Sequence, residues 1–515
     1  MPFSAVLLTE LLTLVLTPGA RPSNLLLRAE MLSLRAECSK SGLCGVASAT
    51  PPRRFPALPL SRRPPRARDG HYSDGLPSGA PAPPRRILAV LEEIDRIPAR
   101  PLWPGFEARK VPIEIFDGEH TWLVGHPSPP EEFHPCSGER NVRVFEGRHA
   151  SLRANTSVIL AGVATATASL EGRSEGPRRL AGLLVHETFH VFQARRHPKW
   201  GGNEVEQLVY PSEDTEVLAQ RRLESTALRR ALAAGNRRTA GAWAARALAA
   251  RQERFARLTD PSAAYERGTE MKEGLARYVE AKVAGDGNSL LPEAEFPPDG
   301  VRLRAYDSGA AIGLLLDRLD PAWKRRLEEK DDTPLDELLR EAVAGREPMP
   351  FSASEKEAAR RRAAEDIRAM GARHAALLRD FLEARGWIVV VEAGDPIFPQ
   401  GFDPWNIERL SASEVLHTRW IQLGNSSGSL EVLDRHCLTE GAGKHPLFEG
   451  VARATITGLP SEPRIEETPQ SVKISAEGLT LEFRAARVAQ DGQTVTITVR
   501  PQRGVPRADP SLRSG

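Results

Sequence analysis

The spacing of hydrophobic residues along the chain predicts strands, then helices, then strands again. Between residues 86 and 150, short segments such as Val111-Pro-Ile-Glu-Ile-Phe alternate apolar and polar positions, which is the pattern of β-strands. Residues 157–169 predict one more strand. Helical spacing then continues as far as Arg385, and alternation returns beyond Gly386, with Gly and Pro between the segments as in a small antiparallel sandwich. The pattern therefore predicts an α+β protein.

The same changes predict the domain organisation. The first region begins with an apolar stretch and becomes rich in Pro and Arg from residue 51, which is typical of a signal segment followed by a disordered linker. A β-containing part and a helical core follow and form one domain, and a β-rich accessory domain ends the chain. The four predicted regions are residues 1–85, 86–176, 177–386 and 387–515.

The strongest chemical signal is His186-Glu187-Thr-Phe-His190, which lies inside a predicted helix. Pro177 suits the first turn of this helix, and its apolar residues form a stripe that predicts burial, namely Leu180, Leu183, Leu184, Phe189 and Val191. Histidines four residues apart lie on one helical face, so both rings can bind one metal ion. Glu187 lies where it can take a proton from an activated water. The pattern indicates a zinc-dependent hydrolase.

A catalytic zinc takes three protein ligands and leaves one position open, so a third ligand is expected further along the chain. The residue six positions after His190 is arginine, which excludes the three-histidine form, and His197 is predicted to be a surface residue near the helix end. A carboxylate on a later helix is the alternative. The best candidate is Glu273, in the sequence Glu273-Gly-Leu-Ala-Arg-Tyr278.

This second sequence resembles the third-ligand helix of the gluzincins, the group that includes thermolysin, aminopeptidase N and glycyl aminopeptidase. The resemblance implies that Glu273 is the third zinc ligand and that the catalytic domain is a thermolysin-like zincin, with a small sheet and a mainly helical bundle. The small residues Gly274 and Ala276 fit a helix that packs closely against the helix of the two histidines. Glu270, one turn earlier, is then a candidate to support the ligands from outside the metal's own coordination sphere.

A third sequence, Arg304-Ala-Tyr306-Asp-Ser-Gly309, resembles the Tyr-x-x-Gly helix of the aminopeptidase N and glycyl aminopeptidase groups. In those families the tyrosine hydrogen-bonds the oxyanion of the tetrahedral intermediate. The resemblance implies the same role for Tyr306, although a tyrosine before a buried helix also serves packing alone. The Gly-x-Met-Glu-Asn signature of aminopeptidase N is absent, so the resemblance covers only the catalytic core, roughly residues 177–345.

The spacing between the second histidine and Glu273 departs from the family pattern. Glu273 lies 83 residues after His190, and the intervening residues from about 211 to 260 predict a helical hairpin that turns at Gly235-Asn236. This hairpin leaves Glu216 and Glu224 as rival third ligands.

The predicted function is a zinc-dependent metallohydrolase, most simply a peptidase, in which His186, His190 and Glu273 hold Zn²⁺ and Glu187 is the general base. Tyr306 would steady the oxyanion. Two alternatives stay open: a catalytically inactive gluzincin-like binding module, and a hydrolase of non-peptide amides. The expected partner is a peptide or protein substrate.

Charge and composition exclude some other functions. A formal net charge of +2 on 515 residues gives no indication of a nucleic-acid partner, and no segment approaches the length of a stable membrane span. The apolar stretch Phe3–Leu16 favours a secreted or periplasmic protein over a cytoplasmic one. Four cysteines are present without a Cys-x-x-Cys pair, and Cys136 with Cys437 is a candidate disulfide if the protein is exported.

Overall fold

The structure is a computed structural model, and it describes residues 81–97, 102–137, 141–152, 155–403 and 406–500. The described chain forms two compact units. One comprises residues 81–203 and 212–363, and the other comprises residues 204–211 and 364–500. The predicted signal segment, most of the predicted linker, Cys38 and Cys44 lie outside the described residues.

The first unit begins with helix α1 (Arg85–Asp95) and a mixed six-stranded sheet in the order β3-β4-β2-β1-β6-β5. The strands are β1 (Ile113–Phe116), β2 (His120–Val124), β3 (His134–Pro135), β4 (Val142–Glu146), β5 (Thr156–Leu160) and β6 (Val163–Ser169). β1 and β6 are parallel, and the other neighbours are antiparallel. β6 leads directly into the helix that carries the two histidines.

The single strand predicted over residues 157–169 is wrong, because the structure contains the hairpin of β5 and β6 there. Ala161 and Gly162 have φ values of 43° and 78°, so two consecutive residues occupy the left-handed region that a tight hairpin turn requires. An apolar run with one glycine gives little sign of such a turn.

The described residues contain ten α-helices. After α1 they are α2 (Pro177–Arg196), α3 (Thr215–Ala233), α4 (Arg237–Phe255), α5 (Asp260–Thr269), α6 (Leu275–Ala284), α7 (Val301–Leu319), α8 (Trp323–Glu329), α9 (Leu335–Ala342) and α10 (Ala353–Leu382). A single π-helical turn, Glu270–Gly274, joins α5 to α6 without a break. α10 continues from the first unit into the second, and the division falls between residues 363 and 364.

Helices α3 and α4 occupy the region for which the sequence predicts a helical hairpin. The side chain of Asp214 accepts backbone hydrogen bonds at the start of α3, and the side chain of Asn236 does so at the start of α4. Such caps satisfy N–H groups that have no partner within the helix. The inner face of the pair is lined mainly by alanine and leucine, including Ala227, Leu228 and Ala244, which are all at most 1% exposed.

The hydrophobic core of the first unit lies between the sheet and the helices. It includes Ile115 of β1, Leu184 of α2 and Val279 of α6, which are fully buried. Trp103 contributes at the far end of α2, where its ring meets Phe189 edge-to-face at 5.6 Å. α2 is therefore enclosed along most of its length, so any polar side chain on it needs a partner within the protein.

The second unit is a β-structure of twelve strands. The strands are β7 (Trp387–Phe402), β8 (Ile407–Arg409), β9 (Glu414–His417), β10 (Trp420–Asn425), β11 (Gly428–Leu433), β12 (Cys437–Gly441), β13 (Val451–Leu459), β14 (Arg464–Glu467), β15 (Ser471–Ala476), β16 (Leu479–Arg484), β17 (Ala486–Asp491) and β18 (Thr494–Val499). The 16-residue strand β7 pairs with β10 near its end and with β13 along its earlier part. All pairs are antiparallel except that of β18 with β7. Alternate residues of the strands, such as Val389, Val391 and Ile456, form the hydrophobic core of the second unit.

The predicted α+β class, with a small sheet, a helical region and a C-terminal β-rich unit, is confirmed at that level.

Among the described helices, none has both the length and the apolar character needed to cross a bilayer. Cys136 and Cys437 are both buried, and in the described chain no disulfide joins them. The Sγ atom of Cys136 donates to the carbonyl of Val142, 3.3 Å away.

Candidate metal centre

Helix α2 presents His186 and His190 side by side in the interior of the first unit. Pro177 occupies its first turn, where the missing N–H has no cost. The spacing of four residues brings the two Nε2 atoms to 3.1 Å of each other. His186 is 0% exposed and His190 is 5% exposed, so the pair is almost completely removed from bulk solvent. Glu187, between them in sequence, is 1% exposed.

Glu273 reaches this pair from the π-helical turn. Its Oε2 atom lies 3.2 Å from Nε2 of His190 and 3.9 Å from Nε2 of His186. A π turn contains one residue more than an α turn, and it occurs often at functional sites. Removing one residue from the turn would rotate the following side chains by about 100° around the axis. The direction of Glu273 therefore depends on this local irregularity.

The turn is held against α7 by two glycines. A Cβ atom on Gly274 would lie 2.7 Å from Cα of Gly309, and one on Gly309 would lie 2.8 Å from the carbonyl oxygen of Glu270. The helix that follows Glu273 packs closely against the histidine helix, as expected, but Gly274 does not make that contact, because it faces α7. On α2 the close approach is made by Gly182, whose added Cβ would lie 3.1 Å from the carbonyl oxygen of Glu280 on α6.

The outer ring nitrogens of both histidines have protein partners. Nδ1 of His186 lies 3.0 Å from Oε2 of Glu280, and Nδ1 of His190 lies 2.8 Å from Oε1 of Gln193. The amide nitrogen of Gln193 donates in turn to the carbonyls of Met271 and Lys272 in the π turn. When Nδ1 donates its proton to such an acceptor, the lone pair of a neutral imidazole is on Nε2. Both lone pairs then point toward Glu273.

Arg302, on the first turn of α7, joins Glu273 to Tyr306. Its Nη2 atom lies 3.2 Å from Oε1 of Glu273, and its Nη1 atom donates to the phenol oxygen of Tyr306 at 2.6 Å. The Tyr306 ring stacks on His186 with 5.9 Å between ring centroids and 11° between their planes. Tyr306 thus lies beside the histidine pair. A residue that contacts a substrate at this centre would need such a position.

Carboxylates shift the pKa of His186, and the histidine rings shift that of Glu273. Burial alone would lower the pKa of His186, but Glu273 and Glu280 outweigh it and raise that pKa to about 10. Burial alone would raise the pKa of Glu273, but the His190 and His186 rings, together with Arg302, hold it well below its usual range. The surrounding carboxylates therefore favour a positive charge at His186.

The donor atoms fit a zinc ion. Bonds of 2.0–2.1 Å in a tetrahedral site place ligand atoms about 3.4 Å apart, and the separations between the two Nε2 atoms and Oε2 of Glu273 are 3.1, 3.2 and 3.9 Å. Within the described chain, Oε2 of Glu273 is buried without a hydrogen-bond partner. A buried carboxylate oxygen in that state is costly unless it coordinates a cation. Two imidazoles and one carboxylate are the ligand set of several catalytic zinc sites.

The rival carboxylates lie elsewhere. Among the described residues, only Glu273 forms a potential metal group with His186 and His190. Glu224 is bound by three arginines, which hold its pKa well below normal against the opposing effect of burial. Glu216 pairs with Arg360 at 2.9 Å. Neither side chain is placed to compete with Glu273.

Glu270 and His197 have surroundings that differ from those expected. In the described chain Glu270 makes no hydrogen bond to either histidine, and it accepts hydrogen bonds from Arg251 and Ser308 at the start of the π turn. His197 is 2% exposed, so its predicted position on the surface is wrong. Its ring stacks on Trp200 at 3.8 Å, and its Nε2 atom lies 2.8 Å from Oε1 of Glu328.

Sequence reasoning missed three residues of this centre, and helical spacing was the signal for each. Glu280 follows Glu273 by seven residues, which is two helical turns, and Gln193 follows His190 by three. Arg302 precedes Tyr306 by four residues. Each missed residue thus shares a helical face with a residue that the sequence did single out.

Comparison of the chain with protein-family models, with curated proteins and with solved structures gives no match in any of the three.

Proposed function

We propose that this protein is a zinc-dependent metallohydrolase of the gluzincin type, and most simply a peptidase. One observation carries the proposal. Two Nε2 atoms on one helix and a carboxylate oxygen on another converge at 3.1–3.9 Å, and the outer nitrogens of both rings are engaged by Glu280 and Gln193. His186, His190 and Glu273 would hold the zinc ion. This combination of ligands and supporting partners is the arrangement found in several catalytic zinc sites.

The architecture of the first unit supports a thermolysin-like zincin as the finer description of its fold. A small mixed sheet precedes α2, the helix of the two histidines, and the carboxylate comes from a later helical segment packed beside it. α3 and α4 lie between these elements in sequence, as an insertion relative to the gluzincin pattern. The insertion leaves the three proposed ligands together.

The chemistry follows from the residues around the ligands. A bound zinc ion lowers the pKa of its water toward about 7 and polarises a carbonyl oxygen. Glu187 would take the proton of the attacking water and pass it to the leaving amine. Tyr306 would donate its phenol hydrogen to the oxyanion of the tetrahedral intermediate, while Arg302 holds the phenol oxygen from the other side.

Strand β5 supports an extended peptide as the substrate. It is the edge of the six-stranded sheet, and in the described chain it pairs only with β6. The free edge of a strand offers N–H and C=O groups that an extended peptide can match. Ile159 on this strand is 72% exposed, so an apolar side chain of a bound peptide would have a contact there.

The test is the Glu187→Gln variant of the full-length protein. We expect wild-type protein to hold one tightly bound zinc ion and to cleave members of a mixed peptide library, with cleavage lost on chelation. Glu187→Gln should retain zinc and lose turnover, because an amide cannot accept the proton. His186→Ala is the matched control and should lose both zinc and turnover.

The outcome also separates the alternatives. Wild-type protein that holds zinc but cleaves no peptide, and that hydrolyses small acyl amides instead, would identify a non-peptide amide hydrolase. Wild-type protein that binds no zinc would contradict the proposal and would favour a binding module. Full activity in Glu187→Gln would show that the proposed general base is wrong.

A further inference from the structure

Six charged side chains form a buried network beside the metal centre, within the first unit. Each is at most 3% exposed; they are Glu224, Arg251, Arg254, Glu266, Glu270 and Arg304. Three are acidic and three are basic, so the formal charges cancel. We call this set the buried ion network.

The network connects the hairpin to the elements of the centre. Glu224 belongs to α3, while Arg251 and Arg254 belong to α4. The remaining members lie on α5, on the π turn and on α7, which are the segments that carry or contact Glu273. The hairpin that interrupts the family pattern therefore reaches the third ligand's own segment through charged contacts.

Arg251 makes the link to the π turn. Its Nη1 atom donates to Oε2 of Glu270 at 2.7 Å, and its Nη2 atom donates to Oε1 at 2.5 Å, which is a two-point contact between planar groups. The Nε and Nη2 atoms of the same guanidinium also donate to Oε1 of Glu224, at 2.9 and 2.7 Å. Ser308 of α7 adds a third hydrogen bond to Glu270, at 2.5 Å.

The energetics argue that this network specifies a geometry more than it stabilises the fold. Removing six charges from water is costly, and apolar residues of similar volume often give equal or greater stability than a buried ion pair. A two-point contact on Glu270 does, however, define the rotation of the π turn about its axis. Glu273 lies three residues further along, so its direction follows from that rotation.

We propose that Arg251 is a positioning residue of the metal centre, which acts through Glu270 to hold Glu273 toward His186 and His190. The hairpin α3–α4 is then part of the functional apparatus. The inference rests on the proposed metal site, and it specifies what sets the direction of the third ligand. Arg254 provides a contrast, because it contacts Glu224 and Glu266 and makes no contact with Glu270.

The first experiment compares Arg251→Lys with Arg254→Lys in the full-length protein. Both substitutions keep the charge and remove a planar guanidinium from the same network. Zinc affinity is measured by competition with a chromogenic chelator, and the absorption spectrum of the Co²⁺ form reports the ligand geometry. We expect Arg251→Lys to weaken zinc binding about 10- to 100-fold and to change the Co²⁺ spectrum, with less than about a threefold effect for Arg254→Lys.

A second pair of milder substitutions tests the inference even if the lysine variants fail to fold. Ser308 and Ser225 are both 0% exposed and both contact the buried ion network, but only Ser308 contacts Glu270. Ser308→Ala should weaken zinc binding, and Ser225→Ala should leave it unchanged at a comparable loss of thermal stability. Equal effects within either pair would overturn the inference, because a purely structural network would make the two members equivalent.

Hydrogen exchange on metal-free protein separates this inference from the proposed function. Arg251→Lys should speed amide exchange in peptides over residues 265–284, and Arg254→Lys should speed it less. If the wild-type protein binds no zinc, the proposed function fails, while this difference in exchange still tests the contact from Arg251 to the π turn. Unchanged exchange in Arg251→Lys would overturn the inference whatever the zinc content.

Discussion

At the scale of single residues, each histidine of the candidate centre uses its two ring nitrogens differently. The Nδ1 atoms of His186 and His190 are engaged by Glu280 and Gln193, and the Nε2 atoms face each other and Glu273. The same logic applies to Glu273, whose Oε1 atom faces Arg302 while Oε2 faces the histidines. Directional bonding at one end of each proposed ligand leaves the atom at its other end available to coordinate a metal ion.

The role proposed for Tyr306 predicts a specific kinetic effect. Tyr306→Phe keeps the ring that stacks on His186 and removes the hydrogen-bond donor. We expect kcat to fall by about 10²- to 10³-fold because the donor acts on the transition state. KM and zinc content should change little. Steady-state kinetics on a peptide identified from the library, together with metal analysis, provide the measurement.

The control for Tyr306→Phe is Tyr278→Phe. Tyr278 lies on α6 and donates to Asp317 at 2.7 Å, away from the proposed ligands. This variant should lose stability and keep kcat. If Tyr306→Phe also keeps its full kcat, then Tyr306 serves packing alone.

At the scale of elements, the π turn and α7 are held together at two glycines. Gly309→Ala would place a methyl group 2.7 Å from Cα of Gly274 and 2.8 Å from the carbonyl oxygen of Glu270. We expect a loss of about 1–3 kcal/mol in the free energy of unfolding, because backbone atoms cannot move aside as a flexible side chain can. Urea denaturation measures this, and zinc affinity should fall in parallel as the turn shifts.

Gly371→Ala on α10 is the matched control for Gly309→Ala. A Cβ atom at residue 371 meets no atom within 4 Å. Replacement of an exposed helical glycine by alanine should therefore stabilise the protein by about 0.4–1 kcal/mol. A similar gain from Gly309→Ala would show that the close contact between Gly274 and Gly309 is absent in solution.

The sheet contains a second buried carboxylate with a histidine partner. Glu114 of β1 is 0% exposed, and Nδ1 of His149 lies 3.1 Å from its Oε1 atom. The hydroxyl of Ser151 donates a hydrogen bond to the same carboxylate. The hydrogen bond with Glu114 raises the pKa of His149 above 6.5, against the opposing effect of burial. A raised pKa means that protonation favours the folded state.

This pair predicts how stability depends on pH. The contribution of His149 is fully present below about pH 6.5, its unfolded pKa, and is lost as the pH rises through the folded pKa. The difference in unfolding free energy between wild type and His149→Gln should therefore be largest in acid and shrink at alkaline pH. Urea denaturation across this range measures it. A difference that is independent of pH would show that His149 contributes packing only, through Phe133 and Phe145.

At the scale of the whole molecule, the two units have separate cores, and every proposed metal ligand belongs to the first. Zinc bound at the proposed ligands would stabilise the native state by mass action, and the effect is expected where those ligands lie. Zinc should therefore slow hydrogen exchange in peptides over residues 177–196 and 265–284. Peptides over residues 451–459 of the second unit should be unaffected. Mass spectrometry with and without chelator makes the comparison, and uniform slowing in both units would contradict it.

Much of the fold could be predicted from the alternation of apolar residues, but not all of it. The spacing of apolar residues is sufficient to predict the strands β1, β2 and β4 and the helix α2. The hairpin of β5 and β6 could not be distinguished from one strand, because its turn depends on the positive φ of Ala161. Short strands of the second unit such as β8 and β14 carry little local signal either, since pairing with neighbouring strands forms them and their segments are short and polar.

The burial of His197 could not be predicted for a similar reason. A histidine followed by proline at a helix end looks solvent-exposed in sequence. The stacking partner Trp200 is local, but the acceptor Glu328 comes from α8, more than a hundred residues later. Only the packing of α8 on the end of α2 provides the partner that allows burial.

The sequence by itself determined that His186 and His190 share one face, because a helical period of 3.6 residues leaves no other arrangement. It also marked Glu273 as a candidate, through its resemblance to a known helix. Only the tertiary structure shows that Glu273, and not Glu216 or Glu224, lies beside the histidines, because arginines pair with the other two carboxylates and the π turn directs Glu273 toward the histidines. The ion pairs join residues that are far apart in the sequence, and the extra residue of the π turn changes the direction of the side chains that follow it. Neither effect can be recognised from the local sequence pattern.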